Sequence, residues 1–77
     1  MSETLERLIQ VASKRFRVET AKIRPEADIF ETLKIDSLAA LSLLTELETE
    51  FHIEIPDYEL QGVKTFAGLA RLIEVRR

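Results

Sequence analysis

Apolar residues at Leu5, Leu8, Ile9, Ala12 and Phe16 recur at the spacing of one helix face, with charged residues between them, and predict a first helix over 3–17. Ser2 or Thr4 can cap it, and Glu3 and Glu6 suit its positive first turn. From 18 to 35 the period is lost. Val18 and Thr20 disfavour helix, Pro25 holds Arg24 extended, and Ile23, Ile29, Phe30, Leu33 and Ile35 keep no helical phase. The segment reads as a long loop pinned by apolar anchors; loops beyond about 12–15 residues are often functional, so this one calls for an explanation.

The period returns most clearly over 36–51. Ala40, Leu43, Leu44, Leu47 and Phe51 fall within an arc of about 100°, with Leu41 at its edge facing the core, while Leu38, Ser42, Thr45 and Thr49 occupy the opposite face. Asp36 is a good N-cap, because its carboxylate can accept from free N–H groups of the first turn. Pro56 blocks continuation, with Ile53 and Ile55 as buried anchors around Glu54. Residues 57–61 allow a short helix ended by Gly62. Thr65 caps a last helix bearing Phe66, Leu69, Ala70 and Ile73 on one face, and Arg71, Arg76 and Arg77 suit its negative end. The fold expected is all-α: a small antiparallel four-helix bundle of three longer helices and one short one, with a long loop between the first and second.

The 77 residues are 45% apolar, 32% charged and 6% aromatic, which bounds the chain to a single domain over 1–77. A chain of this size buries only roughly 60% of the surface its unfolded form exposes, so its apolar residues are committed to one core and no deep substrate cavity is expected beside it. The interior Leu, Ile, Val and Phe positions are read as simple packing ahead of a sheath for an alkyl chain. With no cysteine there is no disulfide framework and no protein thiol, which fits an intracellular, cytoplasmic setting without requiring one. Charged residues through the first twenty positions leave no unbroken apolar run, so neither a signal peptide nor membrane insertion is expected.

Charge divides the chain. Residues 1–34 carry seven basic and six acidic side chains, whereas 35–77 carry four and eight. Asp36, Glu46, Glu48, Glu50, Glu54, Asp57 and Glu59 form a run with no Lys or Arg among them. That run opposes nucleic-acid binding and reads equally as a solvated face or as a surface for a basic protein. Glu46, Glu50 and Glu54 repel one another at helical spacing, so added salt or divalent cations should raise the melting temperature.

Asp36, Ser37 and His52 are the residue types of a nucleophilic triad, but Ser37 and the chain's one histidine lie fifteen positions apart on one helix, roughly 22 Å. His52 reads as a polar residue near a helix C-terminus. Glutamate pairs at 46/50 and 50/54 fall short of the six or more oxygen ligands a hard cation needs, so no metal site is expected. Ser37 remains, with two readings. It is a capping serine beside a capping aspartate, or it is an exposed hydroxyl at a helix start, where N–H groups and the helix dipole stabilise a phosphodiester-linked arm.

The string Leu33-Lys34-Ile35-Asp36-Ser37-Leu38 resembles the Asp-Ser-Leu motif of acyl carrier proteins. Upstream, Ile23-Arg24-Pro25-Glu26-Ala27 is similar to the family's I-x-P-E-A stretch. Downstream, Leu47-Glu48-Thr49-Glu50-Phe51 with Ile55-Pro56-Asp57 matches L-E-x-x-F-x-x-x-I-P-D, so the resemblance spans nearly the whole chain. It implies a non-catalytic four-helix carrier in which Ser37 receives 4′-phosphopantetheine from coenzyme A through a separate phosphopantetheinyl transferase, the arm's thiol holding acyl intermediates as thioesters for fatty-acid, specialised lipid or secondary-metabolite synthesis. By the same resemblance Asp36 serves transferase recognition and Leu38 packs against partners, which include acyl-loading ligase or synthase enzymes; a monomer is expected. The alternatives are an aminoacyl or peptidyl carrier, and a helical adaptor that docks through its acidic surface with Ser37 unmodified.

Two departures stand out. The family commonly has Gly at the position of Lys34, where positive φ is useful, so the turn here must be built differently or carry strain. The acids common just after the motif are replaced by Ala39 and Ser42, Thr45 is neutral, and carboxylates begin only at Glu46. The recognition face of Asp36, Leu38, Ala39, Ser42, Thr45 and Glu46 is thus neutral and partly apolar near Ser37, with basic-partner steering left to the far end of the helix. The chain is expected to be a specialised carrier with its own loading enzymes.

Overall fold

Ser2 accepts from the Leu5 N–H and starts helix α1 (Glu3–Phe16), whose Leu5, Leu8, Ile9 and Ala12 are buried as the spacing predicts. The computed structural model describes residues 2–77, and the other capping candidate, Thr4, has a different role: it is buried, and its hydroxyl accepts from Arg77 Nη1 at 2.8 Å. Asp36 and Thr65 cap α3 (Ser37–Phe51) and α4 (Phe66–Arg76), accepting from the N–H groups of Ala39 and Gly68.

The segment over 18–35 is not one loop. It holds a 3₁₀ turn, Thr20–Lys22, and a five-residue helix, α2 (Ile29–Leu33), started by Asp28, which accepts from the Glu31 N–H at 2.9 Å. This is the short α-helix of the bundle. The 57–61 segment, read as the short helix, is a 3₁₀ turn over Asp57–Leu60. The pinning is backbone to backbone as well as apolar: Ile29 N–H donates to Lys64 O at 2.8 Å and Ala67 N–H to Pro25 O at 2.7 Å, with an isolated antiparallel bridge between Asp28 and Thr65.

Direction follows from contacts at the helix ends. Arg7 on the first turns of α1 meets Glu50 on the last turn of α3, and Arg15 on the last turn of α1 meets Ser42 and Glu46, so the two run antiparallel. Arg77 meets Glu3 and Thr4, so α4 is also antiparallel to α1. The C-terminal ends of α3 and α4, marked by Phe51 and Arg77, therefore share one end of the bundle, and their N-termini share the other. Leu8, Leu43, Leu47, Phe66 and Ile73 form the fully buried centre.

Three helices end alike. Arg17, Lys34 and His52 follow α1, α2 and α3 in the left-handed region, with φ of 57°, 56° and 57°. The next N–H, from Val18, Ile35 and Ile53, donates back to Ser13, Phe30 and Glu48 carbonyls at 3.2, 3.1 and 3.0 Å. This is the Schellman arrangement with an apolar residue after the cap. All three αL residues are larger than the glycine that takes this conformation without cost. Lys34 thus keeps the positive-φ turn and carries the strain; the turn is not rebuilt.

Candidate functional site

Helix α3 begins immediately after the Lys34 turn. Asp36 is extended, its carboxylate accepts from Ala39 N–H at 3.0 Å, and its carbonyl accepts from Ala40 N–H at 3.0 Å. Because Asp36 does the capping, the Ser37 hydroxyl is not spent on it. Ser37 is the first residue of the helix and exposed, and the first-turn N–H groups at 37 and 38 have no intrahelical acceptor. An oxygen-linked phosphodiester placed there meets free donors and the positive end of a fifteen-residue helix. The residues present therefore fit an arm attached through phosphate.

Ser37 also lies on the rim of a cavity of about 400 Å³. Its walls are Ala40, Leu41 and Leu44 of α3, Ile29 and Phe30 of α2, and Leu60, Val63 and Leu69 from the 3₁₀ turn onward. The recess is half open to solvent rather than a deep cavity, and four of its apolar walls, Ile29, Leu43, Leu44 and Leu69, are buried in the core as expected. Leu41 departs from expectation, being 43% exposed rather than facing the core. The reason is that α3 and α4 leave α1 in the same direction, so 52–65 must cross between them, and that crossing and α2 form walls without filling the space.

The other predicted recognition residues divide. Leu38 is 77% exposed beside Ser37. Ala39 is half-buried, and Thr45 is exposed with its hydroxyl donating to the Leu41 carbonyl at 3.1 Å. Ser42 and Glu46 are not free: Arg15 donates to the Ser42 hydroxyl and its Nε lies 3.8 Å from Glu46 Oε1. Further along, Arg7 Nη2 is 2.8 Å from Glu50 Oε2, and Glu48 accepts from Ile55 N–H at 2.7 Å. Three members of the acidic run, Glu46, Glu50 and Glu59, meet cations in space, whereas Asp36, Glu48, Glu54 and Asp57 form no ion pair among the described residues. Arg7 and Arg15 were the missing residues; their i, i+8 spacing on one side of α1 was the available signal. His52 is the exposed αL residue ending α3.

Ser37 is thus an exposed hydroxyl that starts a helix at the mouth of an apolar cavity. The family model described as "Phosphopantetheine attachment site" matches residues 6–73. The chain is 41% identical over 64 residues to the acyl carrier protein of Thermosynechococcus vestitus, covering 83% of this chain and 79% of that one. It is 33% identical over 75 residues to the acyl carrier protein of Helicobacter hepaticus, covering 97% and 99%. A solved structure of the acyl carrier protein from Enterococcus faecalis superposes with a TM-score of 0.79 at 25% identity, covering 97% of this chain and 95% of that one. The chain belongs to the acyl carrier protein family. It is an acyl carrier of helical-bundle fold, with 4′-phosphopantetheine as its covalent prosthetic group. No helix among the described residues is long and apolar enough to cross a membrane.

Proposed function

We propose that Ser37 is the residue that bears the phosphopantetheine, and that residues 1–77 act as one monomeric, non-catalytic carrier domain in the cytoplasm, where coenzyme A supplies the arm. The observation that carries this is the hydroxyl itself, first in α3, exposed, released from capping by Asp36, and on the rim of the 400 Å³ cavity. The arm supplies a terminal thiol that holds the cargo as a thioester. The chain's part is to present the attachment point, screen the phosphate with first-turn N–H groups, and offer Ile29, Phe30, Leu41 and Leu44 as an apolar wall. That wall favours acyl over aminoacyl cargo, since a charged amino group gains nothing from it.

Asp36 and Leu38 serve transferase and enzyme recognition, with Ala39, Ser42, Thr45 and Glu46 completing the face toward acyl-loading ligase or synthase enzymes. The neutral character of α3 from Ser37 to Thr45 supports a specialised carrier served by its own enzymes. Incubation with coenzyme A, magnesium and a broad-specificity phosphopantetheinyl transferase should add one phosphopantetheine per chain by intact mass. Ser37→Ala should abolish the gain. No gain with several transferases would overturn the assignment and favour an adaptor.

A further inference from the structure

One wall of the cavity beside Ser37 is not held by the core. Between Ile55 and Phe66 no residue is buried, and the 3₁₀ turn Asp57–Leu60, which gives Asp57 and Leu60 to the lining, has no side-chain cap. Leu60 and Val63 reach the core only as partly buried residues. The turn's backbone bonds are local, Glu59 N–H to Pro56 O and Val63 N–H to Leu60 O, both at 3.0 Å. Among the described residues, the one side-chain hydrogen bond or ion pair from 57–63 to another element joins Glu59 to Arg76. Arg76 directs its whole guanidinium at this stretch. Nε donates to Glu59 Oε1 at 3.3 Å, Nη2 meets Glu59 Oε2, and Nη1 donates to the Glu54 carbonyl at 3.4 Å. With side chains 32% and 22% exposed, this is the most sheltered ion pair of the described residues. Arg76 ends α4, whose Phe66, Leu69, Ala70 and Ile73 are buried, so the cation stands on a fixed post.

We propose that Arg76 is a positioning residue for the cargo: through Glu59 it holds the 57–60 turn in place and so sets the length of acyl chain that the cavity accepts. This deepens the carrier reading and rests on cargo attached at Ser37 entering that cavity. A two-point contact between guanidinium and carboxylate fixes orientation as well as distance, which the single contact of a lysine does not. Without the cation, the Glu59 carboxylate is left sheltered and unpaired, a cost that the turn relieves by swinging toward water. The cavity then widens where Asp57, Leu60 and Gln61 line it.

The test has two arms, of which the first does not depend on Ser37. In the unmodified chain, hydrogen exchange of the Glu59 and Val63 amides, read by NMR, should quicken about five- to tenfold in Arg76→Gln, with amides of α1 and α3 changing far less. Glu59→Gln should do the same, and the double variant should add nothing to either. Arg77→Gln is the control: about as exposed, Arg77 reaches Glu3 and Thr4 on α1 and not the turn, so its loss should leave 57–63 unchanged. In the second arm the carrier is loaded with saturated acyl chains of increasing length, and the thioester is challenged with hydroxylamine. Protection in the native chain should grow by up to about fourfold per methylene until the cavity is full. In Arg76→Gln that limit should move to longer chains, with Arg76→Lys between the two. The proposal is overturned if exchange at 59 and 63 is unchanged, if it quickens equally throughout the molecule, if Arg77→Gln acts on the turn as strongly, or if the limiting length stays where it was. A chain that cannot be loaded would remove Ser37 as the attachment point, while the first arm would still decide whether Arg76 holds the turn.

Discussion

The two ends of the bundle are built for different purposes. Where α1 begins and α3 and α4 finish, the Phe51 ring lies beneath two guanidiniums, Arg7 at 4.5 Å and Arg77 at 5.1 Å. The same two arginines reach Glu3, and Arg7 holds both the carboxylate and the carbonyl of Glu50. Arg76 pairs with Glu59 beside them. At the Ser37 end a half-lined cavity opens beside the exposed Leu38 and Leu41; an exposed apolar residue, Val75, and an αL residue, His52, occur at the closed end too, so it is the cavity that sets the two ends apart. One end is cross-linked and the other is left free to be occupied. A small carrier can have both because its three long helices transmit the order of the first end to the second.

The largest effect expected from breaking this contrast is at the closed end. Phe51→Ala removes a buried ring together with the seat of two cation–π contacts, and should cost about 3–5 kcal/mol in chemical denaturation. Leu38→Ala, at the open end, should stay within about 0.5 kcal/mol because the side chain is already in water. A comparable loss from both would mean that the ends are not energetically distinct.

Lys34→Gly acts on the strain at the open end. Relief of the left-handed conformation is worth about 1–2 kcal/mol, and the greater freedom of glycine in the unfolded chain offsets part of it, so a net gain of about 0.5–1 kcal/mol is expected. The midpoint of denaturation should rise, with the slope unchanged. A loss of stability would show that the Lys34 side chain contributes more than its backbone costs.

The sequence made the three long helices legible because each has a full apolar stripe and a side-chain cap. Predicted bounds of 3–17 and 36–51 differ from Glu3–Phe16 and Ser37–Phe51 by one residue each, the latter because Asp36 is the cap itself. The position of Ser37 at a helix start was legible for a similar reason: it depends only on its own helix. Helix α2 was missed because five residues are too few to display a 3.6-residue period. Its local signal, Asp28 before Ile29, Phe30 and Leu33, is meaningful only once 25–29 is tied to 64–67. The cavity and the pairing of the acidic run were hidden for the same physical reason. Arg7 with Glu50 and Arg15 with Ser42 join residues 43 and 27 positions apart, and no local pattern reports which cation a carboxylate meets across the bundle.

A last comparison, ending in the smallest effect, separates two pairings that look equivalent along α1. Arg7→Gln loses a 2.8 Å ion pair, a bond to the Glu50 carbonyl and the face of Phe51, about 1 kcal/mol together at partly exposed sites. Arg15→Gln loses a looser contact at 3.8 Å to Glu46, with both side chains nearly half exposed, and should cost about 0.3 kcal/mol or less. Screening over about 10 Å at 0.1 M salt weakens attraction here rather than relieving repulsion, because the nearest charges to Glu46 and Glu50 are positive. The melting temperature of the native chain should therefore fall slightly as salt is added from low concentration, and the gap to Arg7→Gln should narrow. A melting temperature that rises with salt would mean that the unpaired acids, not these two arginines, dominate the field on α3.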